Sequence, residues 1–178
     1  MEWLQDLINR LLSILPRIVI LAPNESGVRI SFGKYVSKKN AGWYFWWPIV
    51  QKFIYVEIAP QIVDLRNQSI RTKDKKNIVV SGAIQYSISN AQKAILHIQD
   101  FDKSLEALAL GIILEFASKR TLEECENIDL LKKEILQGIK AAAGDWGLRI
   151  QKIYITDLGE AKNFRLLTNK TKEIIEGE

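Results

Sequence analysis

Apolar residues near the start of the chain recur every three or four positions, the spacing of one face of an α-helix. Seven residues follow this period: Trp3, Leu4, Leu7, Ile8, Leu11, Leu12 and Leu15. Polar side chains occupy the opposite face, and Pro16 ends the pattern. The sequence therefore predicts an amphipathic helix over residues 2–15. Its length of about 21 Å is too short to cross the roughly 30 Å hydrocarbon core of a bilayer.

This amphipathic segment has two interpretations at this point. It lies in the interface of a membrane, or it packs on its own domain or on a neighbouring subunit. Membrane-surface helices usually carry Lys and Arg on the polar face, whereas here Glu2 and Asp6 offset Arg10 and Arg17. The same acidic residues argue against a cleaved signal peptide.

Between residues 18 and 88 apolar positions mostly alternate with polar ones, which is the period of a strand with one buried face. The predicted strands cover residues 18–21, 28–32, 54–58, 63–65 and 78–88. The basic segment 73–77 has the composition of a hairpin loop. Gly82 interrupts the longest strand and predicts a β-bulge.

An unbroken aromatic run distinguishes this half of the chain. It consists of Trp43, Tyr44, Phe45, Trp46 and Trp47, between Gly42 and Pro48. In a strand, Trp43, Phe45 and Trp47 would face one way, so at least one large face needs a partner other than the core. Because rings with a polar tip favour both membrane boundaries and protein interfaces, a bilayer, a neighbouring subunit and ordinary core all remain open.

Helical periods dominate from residue 89 onward. Asn90 and Asp102 predict two helix starts, and Thr121 with Glu124 has the spacing of a capping box at a third. Gly144 and Gly147 predict the left-handed backbone that ends this last long helix. The sequence therefore places the strands mainly in the first half and the helices mainly in the second, which is typical of an α+β fold.

A final strand is predicted over residues 148–157. Ile153 and Ile155 change face relative to Leu148 and Ile150, which indicates a bulge in this strand. The chain is again helix-compatible from Ala161 onward.

The composition of the chain argues against disulfides, metal sites and catalytic sites. The chain has 25 basic and 21 acidic residues, a formal charge of +4, one Cys and one His. Cys125 is the only cysteine in the sequence and His97 the only histidine. An intramolecular disulfide, a paired-thiolate zinc site and a multi-histidine metal site are therefore excluded. The basic residues form no block of five, so we expect no nucleic-acid partner. With no phosphate-binding loop and Cys125 set among carboxylates, we expect no catalytic residue, cofactor or bound metal, and no enzyme.

Several short segments, each weak alone, occur together in a recognisable order. They are PNESGVR (23–29), FGK (32–34), GWYFWWP (42–48), VDLR (63–66), TKD (72–74), IQYSI (84–88), RTLE (120–123), WGL (146–148) and ITDL (155–158). In this combination the sequence resembles the SPFH or band 7 family, named for stomatin, prohibitin, flotillin and the bacterial HflK and HflC proteins.

The resemblance implies an SPFH-type α+β domain over residues 18–168, with a β-rich N-terminal half and helices packed on a sheet in the C-terminal half. It also implies a membrane-association segment over 1–17. The helix-compatible residues 169–178 would form only a short tail, whereas the family usually continues into a long coiled coil. Family members attach to a bilayer, assemble with copies of themselves into rings or cages, and organise membrane proteins such as proteases or channels. None of this is catalysis.

Carried onto this sequence, the resemblance implies a peripheral or monotopic membrane protein. The amphipathic residues 3–15 would be the membrane element, and Trp43, Phe45, Trp46 and Trp47 would approach lipid. The expected partners are a lipid bilayer, further copies of the chain and a membrane protease or channel. The alternative is a soluble homo-oligomer in which the N-terminal helix and the aromatic loop are buried between subunits.

Overall fold

A computed structural model describes residues 3, 5 and 15–161 of the chain. Within these residues eight strands and four helices follow one another. The strands are β1 (Arg17–Leu21), β2 (Glu25–Ser31), β3 (Tyr35–Lys39), β4 (Gly42–Trp46), β5 (Gln51–Glu57), β6 (Gln61–Arg71), β7 (Asn77–Ile88) and β8 (Leu148–Glu160). The helices are α1 (Ala91–His97), α2 (Phe101–Ser118), α3 (Leu122–Cys125) and α4 (Ile128–Asp145). This order confirms the predicted α+β fold.

Residues 61–160 form an antiparallel sheet, in the order β6–β7–β8, packed against two helices. Helix α2 contacts β6, α4 contacts β8, and the two helices contact each other. Fully buried side chains from both layers form the core, including Val80, Ile84, Leu105, Ile113, Ile135 and Ile139. Since burial of one such side chain contributes about 1.5–3 kcal/mol, this layer supplies much of the stability of the fold.

The register of this sheet shifts at three places: two of them were predicted, and the third lies between Leu65 and Gln68 of β6. The register of β7 and β8 shifts at Gly82, where a Cβ atom would lie 2.4 Å from the carbonyl oxygen of Tyr154. A second shift leaves Gln151 without a paired residue. The extra residue turns Ile153 onto the same buried side as Ile150, so the change in apolar period along β8 is explained.

The first two helices of the C-terminal half begin at polar caps. The side chain of Asn90 accepts hydrogen bonds from two backbone N–H groups of α1, as predicted. The cap of α2 is Asp100, which accepts from the backbone N–H of Lys103, so the predicted start at Asp102 is wrong by two residues. Asp102 instead accepts a 2.8 Å hydrogen bond from the hydroxyl of Tyr86, which ties α2 to the sheet.

The capping box at Thr121 and Glu124 is present, but it opens only the four-residue α3. The long helix α4 has its own cap, Asn127. Gly147 follows α4 with a φ of +78°, which confirms a left-handed residue beyond the helix. Gly144 lies inside α4, so its predicted role at the helix end is wrong.

The N-terminal half consists of a three-stranded sheet, β3–β2–β5, and a two-stranded ribbon, β1–β4. Val28 of β2 is fully buried, and α1 contacts both β2 and β5. Arg29 lies opposite Phe53 in the antiparallel register, so both side chains are on the other face of the sheet. The ribbon lies against this face, with the ring of Tyr44 6.1 Å from that of Phe53.

Candidate membrane-contact surface

The ribbon presents an apolar face to solvent. Strands β1 and β4 pair antiparallel so that Ile18 lies opposite Phe45 and Ile20 lies opposite Trp43. All four side chains are between 53% and 74% exposed, and we call this set the outer ribbon face. The rings of Trp43 and Phe45 meet edge to face with centroids 5.3 Å apart. Cross-strand and edge-to-face contacts of this kind hold the side chains in a fixed arrangement without covering them.

The other side of the ribbon is turned toward the protein. Val19, Tyr44 and Trp46 are each partly buried, whereas their neighbours on β1 and β4 are exposed. The hydroxyl of Tyr44 donates to the backbone carbonyl of Asn40, and Nζ of Lys39 lies 5.2 Å from the centre of its ring. The predicted alternation of the aromatic run is therefore confirmed, and Trp46 belongs to the inner side of the ribbon.

A second apolar group lies where the ribbon and two turns meet. It contains Leu15, Phe32, Trp47 and Ile49, each more than half exposed, and we call it the loop end. The backbone N–H of Phe32 donates to the carbonyl of Val50 at 2.7 Å, which joins the β2–β3 turn to the β4–β5 turn. Leu15 and Trp47 stand just before β1 and just after β4, so the loop end continues the outer ribbon face. Exposed apolar patches of several such residues mark interaction surfaces.

Phe32 adopts an unusual backbone conformation for an aromatic residue. Its φ is +53°, and that of Gly33 is +67°. The N–H of Lys34 donates to the carbonyl of Ser31 at 3.1 Å, which closes the turn around these two residues. The sequence predicted instead that Phe32 continues the strand of Val28 and Ile30. The turn ends the strand at Ser31 and leaves the Phe32 ring 72% exposed.

Positive charge is concentrated in the same part of the chain. Residues 15–56 contain six basic residues and one acidic residue, a net charge of +5, whereas the whole chain carries +4. The single acid, Glu25, begins β2 opposite Glu57, the last residue of β5, while Phe32 follows the last residue of β2. Seven strand residues span about 20 Å, so the loop end is far from both carboxylates and its field is positive.

Groups with chemical reactivity lie elsewhere and are not assembled. Cys125 is buried, and burial raises the pKa of its thiol above the ordinary value, which suppresses the thiolate. His97 is exposed at the end of α1. In the described part of the chain no cluster of three or more His, Cys, Asp or Glu residues has the geometry to hold a metal ion. None of the helices in that part is long and apolar enough to cross a bilayer.

Comparison with known proteins identifies the domain. The model of the family described as "SPFH domain / Band 7 family" matches residues 19–173. The chain belongs to this family. The resemblance found in the sequence is therefore confirmed. Both turns, the helical core and all of the ribbon except Arg17 and Ile18 fall within the matched region of this SPFH chain.

Curated relatives of the SPFH chain come from viruses, animals and archaea. A putative band 7 family protein of Acanthamoeba polyphaga mimivirus is 26% identical over 133 residues, covering 74% of the chain and 44% of the relative. Stomatin-4 of Caenorhabditis elegans is 25% identical over 126 residues, covering 70% and 45%. A stomatin homolog of Pyrococcus horikoshii is 22% identical over 149 residues, covering 83% and 56%. The chain thus spans about half the length of these relatives.

The structure brings together some of the residues predicted to contact a membrane. Trp43, Phe45, Trp47 and Leu15 lie on the outer ribbon face or the loop end. Trp3 is 71% exposed, while Leu4, Leu7, Ile8, Leu11 and Leu12 lie outside the described residues, as does the predicted tail 169–178. Trp46 is partly buried on the inner side of the ribbon, so we leave it out of the surface.

Sequence reasoning missed Ile18, Ile20, Phe32 and Ile49. The signal for Ile18 and Ile20 was weak, because the run 18–21 is apolar throughout and its alternation is invisible without a known partner strand. Phe32 precedes a glycine, which is a turn signal that the apolar alternation concealed. The charge of residues 15–56 could have been counted from the sequence.

Proposed function

We propose that this SPFH protein is a non-enzymatic, membrane-associated scaffold whose outer ribbon face and loop end contact the bilayer. Membership of the family suggests a membrane-associated scaffold role. The observation that carries the assignment of the surface is the set of exposed apolar side chains on β1 and β4. The N-terminal residues 3–15 lead directly into Leu15 of the loop end, so both elements would reach the same bilayer.

The composition of the surface supports lipid as its partner. Tryptophan favours the boundary between headgroups and acyl chains because its ring is apolar and its N–H is polar. Trp43 and Trp47 supply this chemistry, and the basic residues around them supply attraction to anionic lipid. Peripheral attachment follows, since the apolar side chains project from strands and turns.

Self-assembly into a ring or cage, with a membrane protease or channel as client, is the second part of the proposal. Each sheet of the described residues ends in strands that pair on one side only: β1, β4, β3, β5, β6 and β8. Unpaired strand edges offer backbone groups for pairing with another chain. Assembly on a bilayer would bring copies together in one orientation, which favours such contacts between neighbours.

Vesicle flotation of the purified chain, residues 1–178, tests the lipid assignment. The variant Ile18→Ser/Trp43→Ser/Phe45→Ser removes the centre of the outer ribbon face without altering a buried residue. A matched control, Ile62→Ser/Leu114→Ser, removes apolar side chains that are 62% and 47% exposed elsewhere. We expect the first variant to lose vesicle binding and the control to keep it. Equal binding by both variants would contradict the assignment.

The alternative partner of the outer ribbon face is a second copy of the chain, which would make the protein a soluble homo-oligomer. Aromatic side chains are also enriched at the centre of protein interfaces, and the exposed pair Trp43 and Phe45 has this chemistry. Light scattering without detergent or lipid separates the two. The soluble assembly would be favoured if the native protein forms a discrete oligomer that does not bind vesicles, and if the variant Ile18→Ser/Trp43→Ser/Phe45→Ser is dissociated.

A further inference from the structure

A small cavity lies between the ribbon and the three-stranded sheet at the loop end. Its volume is about 250 Å³, and it opens to solvent. The lining residues come from both layers: Pro16, Arg29, Phe45, Trp46, Trp47 and Gln51. Phe45 and Trp47 belong to the surface proposed to meet the bilayer, so the cavity lies beside that surface.

The cavity holds a positive charge that nothing in the described residues balances. The Nε atom of Arg29 is buried without a hydrogen-bond partner, and Arg29 forms no ion pair within residues 15–161. The Arg29 side chain as a whole is only partly buried, but leaving its buried Nε donor unpaired costs about 1–3 kcal/mol. A native protein rarely accepts this cost without a partner for the group.

The other lining groups favour an anion. Gln51 uses its Oε1 atom to accept from the backbone N–H of Trp47 at 3.1 Å, so its amide N–H groups remain as donors. The indole N–H groups of Trp46 and Trp47 are donors with no acceptor capacity. Among the described lining residues there is no Asp or Glu. Donors around one guanidinium, without a competing carboxylate, are the chemistry that recognises a phosphate group.

We propose that this cavity binds the phosphate of an anionic phospholipid headgroup, with Arg29 as its charged donor. The inference rests on the proposed membrane contact and names the lipid class that this contact selects, because the phosphate of a zwitterionic lipid is already neutralised by the cation of its own headgroup. The apolar walls from Pro16, Phe45 and Trp47 would contact the glycerol and first acyl carbons, while the guanidinium would take the phosphate oxygens. A free phosphate ion has the same polar chemistry but no apolar part for these walls.

Vesicle partitioning with two lipid compositions tests the proposal. Native protein and two variants are titrated with vesicles of phosphatidylcholine alone and with vesicles that also contain phosphatidylglycerol. Arg29→Gln removes the cavity charge, whereas Lys52→Gln removes an exposed charge from the same part of the chain. Loss of one surface cation should weaken binding to the anionic vesicles roughly fivefold. Loss of the proposed hydrogen bonds from Arg29 to the lipid phosphate should weaken binding to the anionic vesicles on the order of ten- to a hundredfold.

Binding to phosphatidylcholine vesicles keeps this proposal separate from the proposed function. If no vesicle is bound, both fail. If both vesicle types are bound, but Arg29→Gln and Lys52→Gln weaken binding to the anionic vesicles equally, the membrane contact stands and the headgroup site is refuted. The circular dichroism spectrum and unfolding temperature of Arg29→Gln establish that the variant is folded. The fold loss of the Arg29→Gln/Lys52→Gln double variant should be the product of the two single losses.

Inorganic phosphate separates the two sources of the ligand. It is added without vesicles while tryptophan emission is recorded, since Trp46 and Trp47 line the cavity. We expect little change at millimolar phosphate, but an Arg29-dependent change when vesicles containing phosphatidylglycerol are added. An Arg29-dependent response to inorganic phosphate, without preference for anionic vesicles, would identify a free-phosphate site and overturn the lipid assignment.

Discussion

Replacement of Phe32 by asparagine should strengthen the fold and weaken its membrane contact at the same time. Phe32 occupies a left-handed backbone conformation, with a φ of +53°, in the turn between β2 and β3. An ordinary L-residue in this region costs about 1–2 kcal/mol, whereas asparagine tolerates it and Asn-Gly is a favoured pair in such turns. Because the Phe32 ring is 72% exposed, little packing is lost in solution.

The two effects can be estimated from the same residue. The turn should gain up to about 1 kcal/mol in the free energy of unfolding. Full burial of a Phe side chain contributes about 1.5–3 kcal/mol, so covering the exposed 72% would contribute roughly 1–2 kcal/mol to membrane binding. Loss of the ring should therefore weaken vesicle partitioning about five- to thirtyfold, since 1.4 kcal/mol corresponds to a tenfold change.

Urea unfolding and vesicle partitioning of the same preparation measure these effects, with Phe32→Leu as the matched control. We expect Phe32→Leu to keep most of the vesicle binding and none of the gain in stability. Native vesicle binding by Phe32→Asn would show that the loop end stays out of the bilayer. A marked loss of stability in Phe32→Asn would show instead that the ring packs against the protein.

Three further predictions concern the fold and need no lipid. Gly82→Ala should lower the free energy of unfolding by about 1–3 kcal/mol, because the new Cβ would clash with the Tyr154 carbonyl oxygen. Gly111→Ala, in open space on α2, should raise the free energy of unfolding by up to about 1 kcal/mol. Urea unfolding measures both changes. An unchanged free energy of unfolding in Gly82→Ala would contradict the close approach of the two strands at this bulge. Hydrogen bonds from Arg66 hold the pKa of Glu106 below its ordinary value. The stability from this pair is therefore present above about pH 4.3 and lost as the pH falls through the lowered value. Melting temperatures of native protein and Arg66→Gln should differ at pH 7 and converge in acid; a constant difference would refute the pairing.

Local features of the fold could be predicted from the sequence because each depends on nearby residues. The bulge in β8 follows from a change in apolar period between Ile150 and Ile153, and both residues are buried. The capping box at Thr121 depends on groups three residues apart. The family could also be identified from short segments, because their order along the chain is itself sequence information.

The tertiary structure decided which apolar residues are uncovered. The aromatic run alternates by itself, but only its pairing with β1 and its stacking on β2 and β5 send Trp43 and Phe45 outward and Trp46 inward. In the same way, Arg29 has the pattern of an ordinary strand residue, and only the fold places Trp46 and Gln51, from other strands, beside it in one cavity. Alternation divides the side chains of a strand between two faces, but which face meets solvent depends on contacts between segments far apart in the chain.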